Sequence, residues 1–496
     1  MVWVPRGVPV VLEPQAAFAL SDIEESMFAR CPARVGISAR KGSASPQPPS
    51  QPFGETMFAL IRDLVEAIVV GRRRDADGGL ARAARGYRGQ HSAIRSFLDC
   101  AGVNYLEFLE DREAQVGPLT YLGYSNARPV GSEVSLKLWA PLFKDAAGNR
   151  EVHRLRYRSA KKELTTWARG AAWVAAEGGA SQVSVLEVGL ADGGQAVICD
   201  SLDNSEIDRE HRQITLPRLR EVYLADDPQP GSDCTRCAAV AVCPAIVPMA
   251  MFGAAADNTP WVRGLSESSL ARHRACPHRE LARSQHLPRS GSLPEPAARG
   301  LRVHSWIHDA HESGRSCRDY FSSVDLLDED RPYLDAHAAN CARSDLEVLS
   351  AEETLVGWDS AIGDVVYMKP DEVLRRDGAV ILREIKTTSN SAALDPAVAW
   401  DQYAQVLLWW ASALRGGLLA HFGASRGTVE LEVLTPDGGA VHSWEMADPE
   451  VGFQIDGWRL DSPALWLADR TFPANPGAQC AECDVLRWCR EGQDFE

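Results

Sequence analysis

Residues 378–388 read Gly378-Ala-Val-Ile-Leu-Arg-Glu384-Ile-Lys386-Thr-Thr388. The run follows an Asp377-Gly378 turn signal, and its β-branched and aliphatic residues read as a strand. Residues two apart on a strand share a face, which sets Glu384 and Lys386 side by side. Upstream, Gly363-Asp364-Val-Val-Tyr367 reads as the preceding strand, and a hairpin is expected to bring Asp364 beside Glu384. Cutting a phosphodiester needs a divalent ion held by hard oxygen ligands with positions left open, and a cation near the developing charge. Asp364 and Glu384 suit the first task and Lys386 the second. An E-x-K alone also suits an exposed ion pair, so its surroundings decide.

Two further stretches agree with the catalytic reading. Gly300-Leu-Arg-Val-His304 opens an amphipathic segment that continues through Trp306, Ile307 and Ala310. Trp400-Asp-Gln-Tyr-Ala-Gln405-Val-Leu-Leu-Trp409-Trp410 reads as an apolar helix with Gln405 four residues before Trp409.

Twelve cysteines in a chain without a signal-peptide core call for metal or redox chemistry before disulfides. Six of them form two copies of C-x2-C-x5-C, at Cys234, Cys237, Cys243 and at Cys480, Cys483, Cys489. Each position recurs after 246 residues (480 − 234, 483 − 237, 489 − 243). Leu20-Ser21 precedes Cys31-Pro-Ala-Arg34 as Leu265-Ser266 precedes Cys276-Pro-His-Arg279, and Gly54 matches Gly300. The chain therefore reads as a tandem duplication, with a period too long for a solenoid. The boundary is placed where Pro244, Pro248 and Gly253–Ala256 interrupt the pattern, giving domains 1–250 and 260–496. Pro/Ser-rich loops at Gly42–Pro52 and Ser284–Pro296 follow the lone Cys of each half. Four thiols per half suit a tetrahedral zinc or a [4Fe–4S] cluster. Cys100, Cys199, Cys317 and Cys341 have no repeat partner and read as core or incidental residues.

This pattern resembles the RecB-like PD-(D/E)xK nucleases that carry an iron–sulfur staple, among them CRISPR-associated exonucleases and the nuclease domain of AddB. In that family one Cys precedes the nuclease core and three follow it. The resemblance implies an α/β fold of two tandem restriction-endonuclease-like domains, each a mixed sheet flanked by helices and closed by a four-cysteine cluster. It makes Cys276, Cys480, Cys483 and Cys489 iron–sulfur ligands in the second half, matched by Cys31, Cys234, Cys237 and Cys243 in the first. It assigns His304, Asp364 and Glu384 to a Mg2+ or Mn2+ ion, with Asp364, Glu384, Lys386 and Gln405 catalytic. Trp409 departs from the family's Tyr. The implied reaction is hydrolysis of DNA, commonly at single-stranded ends, by an exonuclease rather than an endonuclease, in repair or antiviral defence.

The first half lacks this set. Moving 246 residues upstream from His304 reaches Phe58, and the strand resembling the E-x-K strand carries Arg156 and Arg158. The first copy is expected to fold, keep its cluster and be inactive. Arg156 and Arg158 are candidate DNA contacts, and the domain a substrate holder or scaffold.

Bulk properties set the frame. A chain of 496 residues exceeds one compact core. The net charge of −16 rules out a uniformly basic binder but not local basic patches. Six arginines fall between Arg72 and Arg88, and eight between Arg263 and Arg302. No uninterrupted apolar run approaches the roughly 20 residues of a membrane span, so the chain reads as cytoplasmic. Without a G-x4-G-K-[ST] motif, unwinding would fall to a helicase partner. The competing reading is a non-catalytic iron–sulfur subunit that binds DNA or assembles a repair or defence complex.

Overall fold

The computed structural model describes residues 16–24, 31–39, 57–72, 76–132, 134–224, 227–237, 239–252, 264–291, 294–341 and 346–495. The Gly42–Pro52 loop, Gly54, Arg73, Arg74 and Gly253–Ala256 lie outside these residues. The chain packs as two compact units. Unit 1 comprises Met1–Ala245, Cys276–Ser290 and Arg470–Glu496, and unit 2 comprises Ile246–Ala275 and Gly291–Asp469. A cut at 250–260 therefore follows the repeat in the sequence, whereas packing assigns the thiol-bearing segments of the second half to unit 1.

Unit 1 is built on a mixed sheet of β1 (Ala16–Ala19), β2 (Thr120–Val130), β3 (Val134–Lys144), β4 (Arg150–Arg156), β5 (Gln182–Gly189) and β6 (Gln195–Asp203). The order is β1-β3-β4-β5-β6, with β2 also on β3. Strands β3 and β4 run antiparallel, β4 and β5 parallel, β5 and β6 antiparallel. A parallel pair needs a crossover, supplied here by α3 (Thr166–Ala175) after α1 (Met57–Arg72) and α2 (Ser92–Val116). Thr165 caps α3 by accepting from the Ala168 amide, and small residues such as Ala168, Ala171 and Ala172 let the helix lie close to the sheet. On the other side α1 and α2 bury Leu64, Ile68, Phe97 and Tyr105. Trp488 joins that core, 2% exposed, with its ring 5.4 Å from Phe97 and its Nε1 donating to the Pro288 carbonyl at 2.6 Å.

Unit 2 has two sheets. A small one orders β7 (Val247–Met249), β10 (Leu355–Asp359), β11 (Asp364–Met368) and β8 (Leu265–Ser266). The larger one runs β15 (Gly438–Glu445), β14 (Arg426–Thr435), β13 (Ala379–Thr387), β12 (Glu372–Arg376) and β9 (Glu347–Ala351). Its pairings repeat the grammar of the unit 1 sheet: β12 and β13 antiparallel, β13 and β14 parallel, β14 and β15 antiparallel. The predicted Asp377-Gly378 turn closes the β12–β13 hairpin with φ of 50° and 77°, the paired positive values of a type I′ turn. Helices cover both faces, which is why β13 reads as a continuous apolar run. Val380, Leu382, Leu431 and Val433 pack with α8 (Pro396–Ala413) and α9 (Pro449–Ala468). Ile385 and Leu434 pack with α5 (Glu295–Glu312), α6 (Cys317–Phe321) and α7 (Arg331–Asn340), while α4 (Glu267–Ala275) follows β8. The mixed α/β architecture is the expected restriction-endonuclease-like one. No helix among the described residues is long and apolar enough to cross a membrane.

Candidate active site

The β12–β13 register places the chemistry. Arg376 faces Ala379 and Glu372 faces Arg383, so one step further along the hairpin Asp371 stands opposite Glu384. Asp371 Oδ2 accepts the Ile385 amide at 2.6 Å, and Asp371 Oδ1 lies 3.3 Å from His304 Nδ1 on α5. His304 Nε2 sits 3.0 Å from the Ile385 carbonyl, and Glu352 Oε1 is 3.7 Å from Nδ1. Lys386 Nζ donates to Glu384 Oε1 at 2.5 Å, and Trp410 Nε1 on α8 donates to Glu384 Oε2 at 3.1 Å. His304, Glu352 and Asp371 hold their ligand atoms within 4.8 Å of one another.

Charge crowding explains the protonation states. Burial raises the Glu384 pKa and Asp371 adds to it, with Lys386 opposing, to about 7. Burial disfavours a charged His304, but Asp371 and Glu352 outweigh it and push its pKa up to about 10. Burial likewise opposes charge on Lys386, and Glu384 and Asp371 more than restore it, so the ammonium persists. Glu352 is drawn down to about 2, first by His304 and further by Lys369. Three carboxylates, an imidazole and a carbonyl at one strand end form a hard, acid-rich donor set that fits Mg2+ or Mn2+.

The expected hairpin between Asp364 and Glu384 does not form. Asp364 belongs to the other hairpin, opposite Asp359, in the small sheet. Its buried carboxylate accepts the amides of Gly264 at 3.0 Å and Val365 at 2.6 Å. The physical reason is that the partner of the E-x-K strand is set by the Asp377-Gly378 turn, and counting back from it reaches Pro370-Asp371. Asp371 was legible by that count, whereas Glu352 carried no local signal. Gln405 lies on α8 with its amide oxygen and nitrogen buried and without a partner among the described residues. Trp409 is fully buried against Phe252 and Trp458 and serves the core. From α8, Trp410 Nε1 donates to Glu384, and the phenol of Tyr403 feels the Lys386 charge.

Residues 264–490 match the family model of the PD-(D/E)XK nuclease superfamily. This match suggests metal-dependent nuclease activity for the segment, which contains Pro370-Asp371 and Glu384-Ile-Lys386. Among solved structures, the crystal structure of SSO0001 is similar at 17% identity over 46% of this chain and 87% of that one, with a TM-score of 0.23. No curated protein matches the chain.

Outside the PD-(D/E)XK site, unit 1 gathers both sets of thiols. The two triplets fold alike, each a pair of 310 turns, Ser232–Arg236 with Val240–Val242 and Ala478–Glu482 with Leu486–Trp488. Burial lifts the Cys234 pKa to about 11, and the thiols of Cys31, Cys237 and Cys243 add to it. Burial does the same to Cys489, with Glu491, Cys276 and Cys483 adding. Backbone amides point at the sulfurs: Gln229 to Cys31 and Gly231 to Cys234 at 3.4 Å, Gly492 to Cys489 at 3.3 Å. A Cβ at Gly492 would meet Leu486 Cδ1 at 2.9 Å and lie 3.3 Å from Cys489 Sγ and 3.5 Å from Cys480 Sγ, so glycine fits a position crowded by Leu486 and both thiols. Converging thiols with amide donors fit a thiolate-bound metal cluster.

The strand of unit 1 that corresponds to β13 carries no acid pair. On β4, Arg154 pairs with Glu24 and lies 4.5 Å over the Trp167 ring. Arg156 is half-buried and held in an ion pair. Its Nη2 is 2.7 Å from the buried Glu187, which also accepts the Lys161 amide. Strand β4 ends at Arg156, leaving Arg158 beyond it and exposed. Phe58 lines a cleft of about 400 Å3 with Glu24, Tyr124, Trp139, Arg154 and Arg156.

Proposed function

We propose that this protein is a Mg2+- or Mn2+-dependent deoxyribonuclease acting on single-stranded DNA or DNA ends, exonucleolytic rather than endonucleolytic. The observation that carries the reading is the convergence of His304, Asp371, Glu384, the Ile385 carbonyl and Lys386 at one end of β13. His304, Asp371 and Glu384 would hold the ion, and Glu352 would orient His304. A bound divalent cation supplies Lewis acidity and a water of lowered pKa. Lys386 stays protonated, so it steadies the attacking oxygen or the phosphate charge instead of removing a proton. Trp410 fixes the Glu384 carboxylate, and the buried amide of Gln405 is assigned to the substrate side.

The reading extends to the rest of the chain. The common pairing grammar of the two sheets and the matched thiol turns support a duplicated nuclease fold. Each four-cysteine set is assigned a [4Fe–4S] cluster of structural role. The first copy, with Arg156 and Arg158 where the second has Glu384 and Lys386, is assigned to substrate holding or scaffolding, with Arg158 as its candidate phosphate contact. A helicase or other DNA-processing protein is the proposed partner, in repair or defence. The test is cleavage of 5′- and 3′-labelled single-stranded and duplex DNA with Mg2+ or Mn2+. Activity lost in Glu384→Ala and Lys386→Ala with folding retained is expected. Metal-replete protein that leaves every substrate intact would overturn the proposal.

A further inference from the structure

Four metal-ligating side chains meet in unit 2 on the far face of the large sheet. They are His311 on α5, Cys317 at the start of α6, His337 on α7 and Cys341 just after it, spaced H-x5-C-x19-H-x3-C. Cys317 Sγ lies 3.5 Å from Cys341 Sγ and 3.6 Å from His337 Nε2. His311 Nε2 lies 3.5 Å from Cys341 Sγ and 3.3 Å from His337 Nε2. Zinc binds nitrogen at about 2.0–2.1 Å and sulfur at about 2.3 Å. A tetrahedron with those radii has edges of about 3.3 Å between nitrogens, about 3.6 Å from nitrogen to sulfur and about 3.8 Å between sulfurs. These four separations lie within about 0.3 Å of the matching edges, and all four ligand atoms lie within 4.8 Å of one another.

The outer groups say the same. His337 Nδ1 faces Glu432 Oε1 at 2.9 Å, and His311 Nδ1 faces Glu372 Oε1 at 3.1 Å. His337, whose Nδ1 is hydrogen-bonded to Glu432, presents the lone pair of Nε2 to the cluster when it donates Nδ1–H to that carboxylate. The two Nε2 atoms lie 3.3 Å apart, a spacing that calls for a proton or a metal ion between them. Two thiolates and two imidazoles in so compact a set select zinc over Mg2+, and four protein ligands suit a structural over a catalytic site. Cys317 and Cys341, first read as core or incidental, are thereby accounted for.

We propose that His311, Cys317, His337 and Cys341 form a structural zinc site that ties α5, α6 and α7 together behind the nuclease sheet. His311 is two turns along α5 from His304, on the same helix face. Glu372 follows Asp371, and successive strand residues point to opposite faces. The site thus braces from behind the helix and strand that present His304 and Asp371. The inference stands on this geometry alone and does not need the chain to cut DNA.

The test is elemental and spectroscopic, on the full chain. Zinc K-edge absorption should show about two nitrogens at about 2.0–2.1 Å and about two sulfurs at about 2.3 Å, with about one zinc per chain. Cys317→Ser with Cys341→Ser should remove that zinc and leave iron content unchanged. Should the double variant fail to fold, cobalt-substituted wild-type protein decides, through the visible bands of a tetrahedral site with two thiolates. Zinc retained in the folded double variant, a purely sulfur shell, or a Cys317–Cys341 disulfide in the zinc-supplemented protein would each overturn the assignment.

Discussion

The sharpest consequence of the site geometry is a contrast between two aspartates seven residues apart. Asp371 faces Glu384 across the β12–β13 hairpin, whereas Asp364 caps backbone amides in another sheet. Asp371→Asn keeps the shape and an oxygen acceptor but removes one charge from the metal position. A unit charge about 4 Å from another is worth about 4 kcal/mol at an effective dielectric near 20. At 1.36 kcal/mol per decade this is about a thousandfold in cleavage rate at fixed, subsaturating metal. Asp364→Ala strands the Gly264 and Val365 amides and should cost about 1–3 kcal/mol of stability. Its folded fraction should still cut at a rate within about threefold of wild type. The assay is single-turnover cleavage of end-labelled DNA across a Mn2+ series, normalised to folded protein by circular dichroism. Asp371→Asn cutting within tenfold of wild type, or folded Asp364→Ala failing as badly, would refute the placement of the metal.

Trp410→Phe removes the indole donor to Glu384 while keeping a ring in the core, and metal affinity should fall about 10–100-fold by titration calorimetry. Because His304 titrates at about 10 in the metal-free site, each ion bound below that pH displaces its proton. Apparent Mn2+ affinity should therefore rise with pH, by up to about tenfold per unit, and a flat response between about pH 6.5 and 8.5 would contradict the ligand set. Protein purified anaerobically should be brown, absorb near about 400 nm and carry about eight irons per chain, falling to about four in Cys480→Ser. Gly378→Val forces a β-branched residue to φ 77° and should lower stability by at least about 1–2 kcal/mol in thermal melts.

The strand carrying Glu384 and Lys386 was legible because an I′ turn and a run of apolar β-formers are local signals. Its catalytic partner was legible in principle, through the register that the same turn imposes, yet Gly363-Asp364 offered a competing strand start and drew the assignment one hairpin too early. Both hairpins exist, and nothing local to Asp364 reveals that they separate into different sheets. The thiol triplets were plain because their spacing repeats. His311, Cys317, His337 and Cys341 escaped because their spacing occurs once and only the packing of three helices brings them together. The partner of Arg156, Glu187, comes from a strand beyond a helical crossover, so no local signal names it.

The burial of Trp488 against Phe97 bears on why the two halves of the sequence stay in one chain. The tail that carries Cys480, Cys483 and Cys489 finishes its hydrophobic packing inside a core made mostly by residues 57–191. Deleting the first half would strip that tail of its apolar seat, so selection for the second half also maintains the first. Mutations in the Phe97 pocket should segregate genetically with loss of the nuclease half, although they lie nearly three hundred residues from Glu384 in sequence. The short 310 turn that carries Trp488 thus ties the end of the second half to the hydrophobic core of the first.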